Sequence, residues 1–341
     1  MTIARRSLLV TAACALAWTL AAPTAALAEE VILKFAVLTP PGNLTYDRIW
    51  APWAKKVNDA AKGEFRIELV GPAIANATNV WDRTVNGVVD IGSVVLGPSG
   101  LPFTKSNVTN LPGIMSLDAP ASVAFWRLYA KGLIADEYKD VKVLALTAGP
   151  NLGLTSTKPI AKLEDLKGTK MRAVGKVSAD VLAALGASPI ALPFGEVYQS
   201  LSRGVISGAM VSNMSIMAFK SSEVAKYHIF AVPMGMGPLA LIMNKQSYER
   251  LNPKAKAIID RFSGESESLA LGTDWGKLDD SLRAELRAKP GQHLTTLSPQ
   301  EIARWQAAVE PVRAAWVKQT PDGARILETL KAEYAAALAG K

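Results

Sequence analysis

Residues 166–213 alternate short apolar runs with helix-forming runs, and no other stretch limits the fold as strongly. The segment opens on an apolar strand at 171–174 and passes through a helix to a second short strand. It then reaches Pro193-Phe194-Gly195-Glu196, a turn that opens another helix. Alternation of this kind belongs to α/β architecture. One residue breaks the apolar pattern: Arg172 stands inside the first strand. An unpaired charge in a buried strand is costly, so Arg172 is expected to meet solvent or an anion.

The flanking chain builds on the same alternation. Residues 30–38 read as a strand ended by Thr39-Pro40-Pro41-Gly42-Asn43. Trp50, Trp53, Val57 and Ala61 follow at helical spacing and are expected to pack in the core. Residues 65–70 alternate as a strand. A weak internal echo links 80–90 with 197–207: each gives a helix, a glycine (Gly87 or Gly204) and a strand, as two lobes of similar build would. The Pro/Gly-rich loop 97–102 follows a strand end, where α/β sheets place ligands. Residues 121–135 read as a helix and 141–147 as a strand, broken by Gly149-Pro150-Asn151 at a crossover between lobes. The run 234–238 before a strand at 239–243 is a candidate second crossover. From Pro253 the chain is helical, with a long helix at 265–289 and an irregularity expected at Gly272 and Gly276. Ser298 and Glu301 form a capping box for the next helix.

Length and ends agree with two lobes. The chain has 341 residues, 49% of them hydrophobic, enough for two ordinary domains. Arg5 and Arg6, the apolar run 8–20 and Ala26-Leu27-Ala28 form a three-part secretory signal, so a periplasmic location is expected. Both twin-arginine and Sec export fit it. Removal of 1–28 takes away Cys14, the only cysteine. The rest can form no disulfide, thiol nucleophile or cysteine metal site.

Enzyme signatures are missing. The two histidines, His228 and His293, have no partner at metal-ligand spacing, and His293 sits in an apparent turn. There is no G-x-S-x-G elbow, P-loop or dinucleotide fingerprint. Lys and Arg are interspersed with acids and the protein is exported, so a nucleic-acid partner is not expected.

The run Lys162-Leu163-Glu164-Asp165-Leu166-Lys167-Gly168-Thr169-Lys170-Met171-Arg172 continues as Leu185-Gly186-Ala187-Ser188-Pro189, Pro193-Phe194-Gly195-Glu196-Val197-Tyr198 and Gly204-Val205. With Gly100-Leu101-Pro102-Phe103-Thr104, Leu111-Pro112-Gly113 and Leu297-Ser298-Pro299, it resembles the DctP-like solute-binding proteins of TRAP transporters. The resemblance implies a two-lobed α/β periplasmic binding-protein fold, joined by crossover strands and a long helix. Lobe I would hold 29–150 plus 238–280, and lobe II 151–237 plus 281–341. It implies a monomer with no catalytic role, cofactor or metal, which delivers an organic acid to a membrane permease.

Arg172 falls at the family's carboxylate-binding arginine. Ser207, Met210 and Val211 replace polar residues common in the family, and Asn213 is expected to take over the amide role. A second arginine is missing near Leu152, with Asn151 beside it. Phe194 is expected to pack on the ligand body and Asn76 to face the cleft; Glu196 is expected to cap its helix. Fewer polar clamps, with Met210, Met214, Met217, Met234 and Met236 nearby, point to a monocarboxylate with an apolar or aromatic body. A periplasmic α/β enzyme, or an ABC-type or sensor binding protein, stays open at this level.

Overall fold

The computed structural model describes residues 30–97, 103–230 and 234–341; the expected signal segment and most of loop 97–102 lie outside them. Strands β1 (Val31–Ala36), β2 (Phe65–Val70) and β3 (Ile91–Val95) alternate with α1 (Ala51–Ala61) and α2 (Val80–Val85). Helix α3 (Asp118–Ala130) leads into β4 (Val141–Asn151) and β5 (Gly153–Ser156). A second alternating set follows: β6 (Lys170–Ala173), α4 (Lys176–Ala184), β7 (Ser188–Ala191), α5 (Val197–Ser202), β8 (Gly208–Val211), α6 (Asn213–Ala218) and β9 (Tyr227–Ile229). Then come β10 (Met236–Asn244), α7 (Lys245–Glu249), α8 (Pro253–Arg261), α9 (Gly264–Ala288), β11 (His293–Thr295), α10 (Pro299–Gln319) and α11 (Gly323–Leu338).

These strands form two sheets, ordered β2-β1-β3-β10-β4 and β11-β9-β5-β8-β6-β7. Each has a parallel βαβ body, β2-β1-β3 in one and β8-β6-β7 in the other. Each also takes in an antiparallel strand at a crossing, β10 in the first and β5 in the second. This is the two-lobed α/β fold expected from the sequence.

Three connections join the lobes. The chain passes from β4 to β5 at Leu152, whose N–H donates to the Gly235 carbonyl at 2.9 Å and so ties the outgoing chain to the returning one. β4 is not broken at Gly149-Pro150 as expected. The incoming β10 pairs Pro238 with Ala148 and Met236 with Asn151, which keeps the ladder going. The third connection is α9. Near its start the Ser268 hydroxyl accepts from Leu146 N–H (3.0 Å), and Glu267 accepts from Trp53 Nε1 (2.8 Å), both in the first lobe. Near its end Leu286 joins the apolar cluster of α5, β8 and α6 in the second. The helix runs unbroken through Gly272 and Gly276. The glycines permit close contact with α3 rather than a kink: a Cβ at Gly272 would lie 2.5 Å from Ser122 Oγ.

The internal echo is structural. Val88 and Val89 N–H both donate to the Arg83 carbonyl, and Val205 and Ile206 N–H both donate to that of Ser200. Gly87 and Gly204 sit in the left-handed region at φ +70° and +68°, so each α-to-β turn is built the same way.

Two further expectations are corrected. The grouping of 281–341 with the second lobe does not extend to α11. Tyr334 Oη accepts from Ser116 and Leu117 N–H at the start of α3, and Glu333 pairs with Arg127. His293 lies on edge strand β11 rather than in a turn, because its N–H pairs with the Lys226 carbonyl beside β9.

Candidate functional site

The carboxyl ends of the parallel strands in both sheets open on a shared cavity of about 670 Å³, the position open α/β sheets use for ligands. Leu38 and Thr39 after β1, Asn76 to Thr78 after β2, and Ser93 and Val95 on β3 form one wall. Arg172 to Val174 on and after β6, Ala191 to Gly195 after β7, and Met214 and Ser215 on α6 form the other. Trp50 and Trp275 line it as well, their rings edge to face at 5.8 Å. A second cavity of about 90 Å³ adjoins it toward the crossings, against Gly149, Pro150, Leu152 and Pro238.

Arg172 dominates the electrostatics. Among the described residues, no Asp or Glu lines the large cavity, and Arg172 is its only charged lining residue. The residue is 1% exposed. Strand alternation turns Met171 and Ala173 into the apolar core and Arg172 to the opposite face. Its Nε donates to the Leu192 carbonyl at 2.9 Å, and Nη1 makes a long contact of 3.4 Å with the Met210 carbonyl. No carboxylate of the described residues forms an ion pair with it. Its Cζ lies 4.0 Å from the Phe194 ring centroid, and Phe194 in turn stacks on Phe219 at 5.6 Å. Burial lowers the guanidinium pKa to about 10. A guanidinium has five N–H donors, so most of this fork has no protein acceptor. The arrangement suits a carboxylate bound by two parallel hydrogen bonds, with an apolar body against the aromatic walls.

The other expected site residues divide. Phe194 lines the cavity, and Asn76 sits at its exposed edge with Oδ1 accepting from Thr78 N–H and Oγ1. Asn213 does not line it. That side chain is buried and turned onto α9, its Nδ2 donating to Asp279 Oδ2 at 3.0 Å. Asn151 is also turned away, donating to the Ser116 carbonyl. Of the five methionines, only Met214 lines the cavity; Met210, Met234 and Met236 are core. Glu196 occupies the N-cap position of α5 without a side-chain capping bond. Trp50, Trp275, Thr39, Thr45 and Ser93 were missed. Trp50 reads as core by spacing and is 2% exposed, yet it lines the cavity.

Phe194→Ala should weaken binding of an aryl acid about five- to tenfold, the size of one lost aromatic and cation–π contact. Calorimetry checks this; unchanged affinity would remove Phe194 from the site.

The model of bacterial extracellular solute-binding protein family 7, named DctP, matches residues 35–319. The chain belongs to this family. Two solved structures similar to it are TRAP solute-binding proteins. One is a marine metagenome protein specific for aromatic acid ligands, in complex with metahydroxyphenylacetate. It is 28% identical with a TM-score of 0.85, over 90% of this chain and 99% of that one. The other, from Rhodoferax ferrireducens with copurified benzoate, is 28% identical with a TM-score of 0.85, over 90% and 98%. The C4-dicarboxylate-binding periplasmic protein DctP of Rhodobacter capsulatus is 26% identical over 329 residues, 94% of this chain and 96% of its own. The described residues contain no helix long and apolar enough to cross a membrane.

Proposed function

We propose that this DctP-family chain is the periplasmic receptor of a TRAP transporter and captures a monocarboxylate with an apolar or aromatic body. The carrying observation is Arg172, among the described residues a buried cation with no acidic partner, on the wall of a cavity to which they bring no other charge. One carboxylate fits that balance. A second carboxylate on the ligand would be desolvated without a counter-charge, which is costly. That favours a ligand like those of the aryl-acid binders over the class in the name of the Rhodobacter relative. Aromatic walls from Phe194, Trp50 and Trp275 suit a flat body.

Binding works by closure. An acid held on Arg172 and touching the first-lobe wall binds the closed form better, and so shifts the population toward it. The lobes turn about Leu152, the chain at Gly235 and α9. The closed protein then presents one surface to the membrane permease, as a monomer, and releases the acid chemically unchanged. The amino-terminal segment 1–28 directs export and is removed.

A thermal-shift screen of benzoate, 3-hydroxyphenylacetate and succinate tests the reading. Ligand at about a hundred times its dissociation constant adds about 2.7 kcal/mol of stability. The aryl acids should shift the transition and be recovered intact; a response to succinate alone would reject the proposed ligand class.

A further inference from the structure

Ser93 interrupts an otherwise apolar sheet face. On β3 it shares that face with Ile91 and Val95, and the cross-strand partners in β10 are Met243, Leu241 and Leu239. On the other side stand Phe35, which pairs with Ile91, and then Val37. A valine would fit this row by pattern. Ser93 is 1% exposed, and its hydroxyl makes no hydrogen bond among the described residues, yet the residue lines the cavity. The other hydroxyls around the cavity are engaged. Thr39 and Thr45 bond each other at 2.7 Å, Thr78 donates to Asn76 at 2.8 Å, and Ser215 bonds Ser212 at 3.1 Å. A buried hydroxyl without a partner is unfavourable, and a ligand atom can supply the missing bond.

We propose that Ser93 is the first-lobe hydrogen-bonding contact of the ligand and selects aryl acids that carry a hydroxyl or carbonyl on the body, away from the carboxylate. The inference rests on the assignment of Arg172 as the carboxylate anchor. That anchor stands on the second-lobe wall, so the group that reaches Ser93 belongs to the opposite end of the ligand. The same bond joins the two walls through the ligand and so favours closure. A site that hydrogen-bonds a ligand hydroxyl discriminates against the analogue that lacks it.

The experiment is calorimetry with benzoate and with 2-, 3- and 4-hydroxybenzoate, on the unmodified protein, Ser93→Ala and Ser93→Thr. The unmodified protein should bind at least one hydroxybenzoate five- to thirtyfold more tightly than benzoate. Ser93→Ala should abolish that preference, weakening the preferred hydroxybenzoate far more than benzoate; Ser93→Thr, which keeps the hydroxyl, should retain it. Equal loss for both acids in Ser93→Ala, or an unchanged ratio, overturns the role of Ser93 and leaves the Arg172 reading standing. No binding of any of the four acids by the unmodified protein overturns both.

Discussion

Arg172→Met is expected to abolish ligand capture while raising the stability of the ligand-free protein. The two effects have one cause. Burial lowers the Arg172 pKa from 12.5 to about 10, and no carboxylate offsets it. At about 1.4 kcal/mol per pKa unit, holding the charged form in place costs the empty protein on the order of 3 kcal/mol. A base with a depressed folded-state pKa is destabilising wherever it is protonated, so this cost is present at neutral pH and fades only above about pH 10. Methionine keeps much of the side-chain volume and removes the charge. Binding moves the other way, since truncating one member of a buried charge pair costs about 2–5 kcal/mol, or roughly thirtyfold to several thousandfold in affinity. Thermal unfolding without ligand and calorimetry with benzoate measure the two halves. A variant that melts lower and binds poorly would mean that Arg172 is a structural residue.

The sequence carries the fold more fully than the site, for a physical reason. Strand and helix identity are local, and apolar spacing at 31–36, 65–70 and 264–288 marks β1, β2 and α9 without help from the rest of the chain. Arg172 is legible because a cation inside an apolar strand is anomalous wherever it occurs. Asn213 and Asn151 are not legible in the same way. An amide makes hydrogen bonds in any polar surrounding, and only the packing shows that Asp279 and the Ser116 carbonyl take these two. The first-lobe wall is hidden for the opposite reason. Trp50 obeys the helical period of a core residue, and nothing in its spacing tells that it lines a cavity. Ser93 could have been found: it is a polar residue in a row of branched apolar ones, the same kind of anomaly as Arg172. The short strands β9 and β11 depend on each other across 64 residues between His228 and Gln292, whose side chains also bond at 2.8 Å, and no local pattern announces such pairs.

Asp118→Asn should stabilise the protein strongly at pH 8 and much less at pH 5. Asp118 opens α3, and its carboxylate is wedged at the crossing between the lobes. A Cβ on Gly149 would lie 2.3 Å from its Oδ1, and one on Gly276 3.3 Å from its Oδ2. Oδ1 is buried and has no hydrogen-bond partner. A helix N-terminus favours a carboxylate, and Arg283 also pulls the pKa down. Burial, first, and then the charges of Asp279 and Asp280 outweigh them and push it from 3.8 to about 8. Asp279 is itself raised by burial, against the pull of its Asn213 hydrogen bond and of Arg283. Between about pH 4 and pH 8 the folded protein therefore holds a proton that the unfolded chain has released. Stability is full below that window and falls through it by at most about 1.4 kcal/mol per pH unit, then levels off. Asparagine mimics the neutral carboxyl and removes this titration, so urea unfolding should show a gain of a few kcal/mol at pH 8 and less than about 2 kcal/mol at pH 5. Equal effects at both pH values would show that Asp118 is ionised in the folded protein. The glycines that admit this carboxyl would then serve only the contact between α3 and α9.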